Sequence, residues 1–139
     1  MKIFFLIAIL FSHHILINAQ ESWEIKWKKK TILTADKEDE AANTRKLKRC
    51  QWKKNGDLRI IYEEAGQDTL LWHSFLLFDE QDEQIFSVEK TLDAKIPINK
   101  LRELFSGKKQ IRIYTIVSPR NPGIRVKMQR VHLCTLQLP

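Results

Sequence analysis

The chain has 139 residues, 43% of them hydrophobic and 29% charged, the size and balance of one globular domain. Four glycines, four prolines and two cysteines exclude a linker, a low-complexity chain, a disulfide-dense miniprotein and a zinc ribbon. A formal charge of +7 favours anionic partners.

The chain opens with Met1-Lys2, an apolar run from Ile3 to Phe11, and then Ile15-Leu16-Ile17-Asn18-Ala19. A short basic start, an apolar stretch and a small residue at a plausible cut read as a secretory signal peptide over 1–19. Cleavage is expected after Ala19, leaving a single domain over 20–139. His13, His14 and Asn18 interrupt the run, so it falls short of the roughly 18–20 apolar residues of a membrane anchor. No transmembrane segment is expected in the mature chain, which is placed in the periplasm or outside the cell. The segment holds one lysine and no acid, so its removal lowers the charge from +7 to +6.

Trp23, Ile25 and Trp27 alternate with Glu24, Lys26 and Lys28, the period of a half-buried strand. Thr31 to Thr34 continues or restarts it. Residues 36–42 have no apolar face and read as a loop or a short helical turn. A strand is predicted over Leu47–Trp52, and Lys54-Asn55-Gly56-Asp57 reads as a hairpin turn into Leu58, Ile60 and Tyr62. Thr69 to Phe78 is nearly all apolar, as in a central strand covered on both faces. Asp79 to Gln84 is an acidic turn, and Ile85–Val88 is the partner strand.

The one predicted helix runs from Ile98 to Ser106, with Pro97 before it and Gly107 as its C-terminal cap. It is too short to stand alone and must plug an end of a β structure. Gln110–Val117 is a further strand. Ser118 to Gly123 is a loop with two prolines, after which Ile124, Val126 and Met128 alternate again. The apolar phase then changes to Val131 and Leu133, and back at Cys134, Leu136 and Leu138. A bulge near Gln129-Arg130 would account for this.

The sum is seven or eight strands and one short helix near 98–106. That is a mainly β fold, an antiparallel β-sandwich or a partly open barrel. The expected core is Trp23, Ile25, Trp27, Leu58, Ile60, Phe75, Leu77, Ile111, Ile113 and Leu133, flanked by Tyr62 and Leu104.

Cys50 and Cys134 are the only thiols, and an exported chain meets an oxidising compartment. A disulfide between them is the simple reading; two separate buried thiols is the other. A loop of roughly 85 residues would make such a bridge worth about 4–5 kcal/mol.

Catalytic motifs are missing. The four glycines stand far apart, no His or Cys pair has metal-ligand spacing, and no serine sits in a Gly-x-Ser-x-Gly turn. No metal or cofactor is therefore expected. Asp79, Glu80, Asp82 and Glu83 could in principle offer oxygens to calcium, but they lack the glycine and acid spacing of a calcium loop and read as a solvated turn. Glu63 and Glu64 could pair with them as glycosidase acids. A carboxylate meeting His73 in a concave pocket would favour an enzyme. Four buried tryptophans without a pocket would favour a scaffold.

Basic residues are more plentiful. Lys48, Arg49, Arg125, Lys127 and Arg130 are the candidate ligand-binding set. They suit an anionic glycan, lipid head groups or an acidic protein. Export argues against nucleic acid. The expected function is a non-enzymatic binding or scaffold module of the cell envelope. A carbohydrate-binding or envelope-stress accessory module is the alternative, with a glycan hydrolase third.

Three segments are distinctive: Trp23-Glu24-Ile25-Lys26-Trp27, Ile111-Arg112-Ile113-Tyr114-Thr115-Ile116, and Arg130-Val131-His132-Leu133-Cys134-Thr135-Leu136. With the proline-bounded loop between the last two, the chain resembles a group of small exported proteins from Bacteroidetes-type bacteria. The resemblance implies origin and compartment, and implies no mechanism.

Overall fold

The computed structural model describes residues 20–66 and 71–139. The expected signal peptide and the residues 67–70 lie outside them. Nine strands and two short helices are described: β1 (Ser22–Trp27), β2 (Lys30–Ala35), β3 (Thr44–Lys46), α1 (Arg49–Lys53), β4 (Asp57–Glu63), β5 (Leu71–Phe78), β6 (Gln84–Val88), β7 (Asp93–Pro97), α2 (Ile98–Leu104), β8 (Gln110–Pro119) and β9 (Val131–Gln137). They form two sheets, ordered β2-β1-β4-β7 and β3-β9-β8-β5-β6. All pairs are antiparallel except β3 with β9. Neither sheet closes into a barrel, so the mainly β sandwich is the fold.

Alternation decides which residues enter the core. Trp23, Ile25 and Trp27 of β1 and Leu58, Ile60 and Tyr62 of β4 point inward, against Phe75 and Leu77 of β5 and Ile111 and Ile113 of β8. Every predicted core residue is buried, and Tyr62 joins them, while Leu104 packs at the margin. The predicted helix is α2. Its Ile98 and Leu101, with Phe105 beyond, are buried in the same core; it ends at Leu104, two residues earlier than expected, with Phe105 as its C-cap, and Gly107 takes a left-handed backbone (φ +75°) in the turn that follows.

Four local predictions fail. Residues 49–53 are helical where a strand was expected. The Gln51 side chain accepts from the Lys48 backbone N–H at 2.7 Å, which caps the first turn, and Arg102 of α2 donates to the Trp52 carbonyl at 2.8 Å at its end. Residues 54–57 consequently link a helix to β4 and close no hairpin.

The Ile124–Met128 alternation makes no strand. β9 pairs β8 only from Gln110 to Thr115, so Ile116–Pro119 are open on that side, but residues 124–128 form no ladder with them and Met128 is exposed. The bulge lies later than expected. The β8–β9 register shifts between Ile113 and Tyr114, opposite Leu133, which lets Leu133, Cys134 and Leu136 all reach the core.

The cysteines are free thiols in this structure. Cys50 is exposed on α1, and Cys134 is buried on β9, where burial pushes its thiol up to about 12. The expected bridge assumed strands at both positions. Replacing the first strand with a helix leaves Cys50 facing solvent.

Candidate functional sites

Polar groups gather inside one end of the sandwich. His73 of β5 and Thr115 of β8 lie on the inward row beside the end of β4, where Tyr62 and, just past the strand, Glu64 meet them. His73 Nε2 lies 2.9 Å from Glu64 Oε1, and Nδ1 lies 3.4 Å from Thr115 Oγ1. The Tyr62 ring tilts against the imidazole, with centroids 4.7 Å apart. The Tyr62 hydroxyl donates to Glu21 at 2.6 Å; burial, then this carboxylate, raises its pKa.

Two cavities of about 280 Å³ border His73. One adds Glu64, Trp72, Lys90 and Arg120, with the Arg120 guanidinium stacked 3.9 Å above the Trp72 ring. The other adds Tyr62, Thr115, Val131 and Lys127.

A carboxylate and His73 thus meet in a concave pocket, the feature that favours an enzyme. Glu64, His73 and Thr115 even follow the order acid, imidazole, hydroxyl. The proton geometry opposes nucleophilic use. Thr115 is 2% exposed, and its hydroxyl donates to the Ser74 carbonyl at 3.1 Å, so it presents its lone pairs to the imidazole.

The other acids do not join this pair. Asp79 lies six residues along β5 from His73, roughly 20 Å at the usual rise per residue. Glu63 and Glu64 therefore do not pair with the acidic turn as glycosidase acids would. Nor is that turn fully solvated. Asp79 is buried and accepts from the backbone N–H groups of Gln81 and Glu83 at 2.9 Å each and from Lys108 Nζ at 2.6 Å. The Lys108 bond and these amides hold its carboxyl below the ordinary carboxylate range. Asp82 accepts from Arg130 at 2.8 Å, which lowers it likewise. Among the described residues no three His, Cys, Asp or Glu side chains form a metal-holding group, and no helix is long and apolar enough to cross a membrane.

The five basic candidates fall into two groups, one at α1 and one in the loop before β9. Lys48 and Arg49 are exposed at the start of α1, and Arg125 and Lys127 are exposed in the loop before β9. Arg130 is engaged by Asp82 and lies over Phe78 and Tyr114, 4.8 and 4.5 Å from their ring centres. Of the five, only Lys127 lines one of the main cavities.

A second site emerges only from register. On the outer face of the four-stranded sheet, Lys26 stands directly opposite Arg59, and Arg59 directly opposite Lys95. Like charges in facing positions destabilise a sheet. The adjacent row supplies partial relief: Asp93 takes both ends of the Arg59 guanidinium, and Glu24 lies 3.6 Å from Lys26.

On the other side the β1–β2 turn adds Lys28 and Lys29. Lys28 takes a left-handed backbone (φ +61°), and its N–H donates to the Asp57 carbonyl at 2.8 Å. Together Lys26, Lys28, Lys29, Asp57, Arg59 and Lys95 line a concavity of about 330 Å³. The strand alternation makes these residues outward-facing in the sequence, but only the pairing register puts three cations in a row.

The tryptophans divide. Trp23 and Trp27 are core, Trp52 is half-buried and stacked on Trp27 at 6.1 Å, and Trp72 is half-buried under Arg120. No family model matches the chain, and no curated protein or solved structure is significantly similar to it.

Proposed function

We propose that this chain is an exported, non-enzymatic binding module of the cell envelope that holds an anionic partner on the outer face of its four-stranded sheet. The observation that carries this reading is the Lys26–Arg59–Lys95 row, extended by Lys28 and Lys29 into one concave basic surface. A sheet bears facing cations at a cost that an anion lying over them relieves. Export rests on the basic start and apolar run of residues 1–19.

Retention on heparin–agarose tests the reading. The wild-type protein elutes late in a salt gradient, and Lys26→Gln/Lys95→Gln elutes markedly earlier. Equal elution of the two proteins rejects this face as the binding surface.

The Glu64–His73 pair in its cavity favours a second reading, a hydrolase. The direction of the Thr115 proton and the isolation of Glu64 from the other acidic turn weigh against it. Turnover of nitrophenyl ester or glycoside substrates that disappears in His73→Ala, with the fold intact, would replace the binding reading of this chain.

A further inference from the structure

We infer that the ligand of the basic face is a linear polyuronate, a glycan with one carboxylate per sugar, lying across the strands; this rests on the anion-binding reading above. Lys26, Arg59 and Lys95 occupy one register position on three neighbouring strands. Neighbouring strands lie about 4.8 Å apart, so the row roots one cationic side chain at each step over roughly 10 Å. That step is close to the length of one sugar in an extended uronate chain.

The row continues onto β2 at Thr31, the partner of Lys26, whose hydroxyl bonds Glu24. A chain following the row thus meets a cation on each of β1, β4 and β7.

The walls suit a chain more than a plane. Lys28 and Lys29 rise on one side, with Asp57 below, and Glu24 and Asp93 stand behind the row. Those two acids restrain Lys26 and Arg59, and Lys28 is restrained through its stem. A Cβ at Gly56 would come within 2.8 Å of Lys28 Cγ, so the stem lies directly on that glycine. Held cations lose less conformational freedom on binding.

A lipid surface would be met better by a convex patch with apolar side chains to insert. Among the described residues the exposed large apolar ones are Leu92 and Met128, and neither lines this concavity. An acidic protein would need a broad patch, about 800 Å² per partner, with an apolar or aromatic centre. No aromatic side chain lines this one.

The test is calorimetric titration of the protein with galacturonate, tetragalacturonate and phosphatidylglycerol–phosphatidylcholine vesicles at low salt. Tetragalacturonate is expected to bind roughly tenfold or more tighter than the monomer. Lys26→Gln/Lys95→Gln should lose roughly tenfold, and Lys48→Gln/Arg49→Gln should lose nothing. Equal affinity for monomer and tetramer overturns the linear register. Binding of vesicles, but not tetragalacturonate, in a manner sensitive to Lys26→Gln/Lys95→Gln overturns the polyuronate and leaves the anion-binding face standing. Failure to bind either probe, or heparin, overturns both.

Discussion

The Trp23 indole donates its Nε1–H to the Leu133 carbonyl oxygen at 2.9 Å, across the sandwich and 110 positions along the chain. Leu133 sits at the β9 bulge, where the ladder leaves a residue without a facing partner. A side chain of the opposite sheet supplies the missing donor. The first strand therefore stabilises an irregularity in the last.

Trp23→Phe should keep most of the stacking on Tyr62, whose ring lies parallel at 6.1 Å, and lose the hydrogen bond. Leaving that buried carbonyl unpaired costs about 1–3 kcal/mol. Urea unfolding should show this loss. An unchanged midpoint would mean that water satisfies the bulge.

Phe75 is fully buried at the centre of β5. Phe75→Ala should cost about 3–5 kcal/mol, through lost burial and the cavity left behind. The same denaturation series measures it, and a loss below about 1 kcal/mol would show that the site collapses around the smaller side chain.

Asp79 gives the acid limb of stability a definite sign. Its folded pKa lies below its unfolded value, about 3.9, because Lys108 and two backbone amides favour the carboxylate. Its contribution is fully present above the unfolded value and is lost as pH falls through the lower folded one. Asp79→Asn should lower stability at neutral pH and narrow the difference from wild type at acid pH. Parallel curves for the two proteins would show that Asp79 does not carry the dependence.

The thiols should separate by accessibility. In the native protein at mild alkaline pH, a maleimide should modify Cys50 quickly and spare Cys134, which is buried and whose thiol is raised to about 12. After unfolding without reductant, two thiols should titrate. A count of zero would show that the chain bridges them in solution.

The strands were legible because most are half-buried, and a half-buried strand writes its two faces into alternate residues, as in Trp23, Ile25 and Trp27 or Leu58, Ile60 and Tyr62. α2 was legible from Pro97, Gly107 and its apolar spacing. α1 was not, because Leu47 to Trp52 is too short to distinguish a turn of helix from a strand, and its caps come from Gln51 and the distant Arg102. Ile124–Met128 alternates as a strand does, but alternation marks two faces and does not by itself make a ladder, and no described strand pairs with this segment.

Both candidate sites share that limitation. Glu64 meets His73 across the two sheets, and Lys26 meets Arg59 and Lys95 across three strands. Neither meeting is visible along one strand.

The place of β9 has a consequence in time. It is the last of the nine described strands in chain order, yet it lies inside its sheet, with β8 on one side and β3, whose paired residues stand 91 positions earlier, on the other. It also carries the carbonyl that Trp23 needs. During synthesis the early strands can gather, but the five-stranded sheet stays incomplete until residue 137 has emerged. Such long-range pairing is slow even then. A chain built this way keeps the inner face of its five-stranded sheet unclosed until β9 has been made.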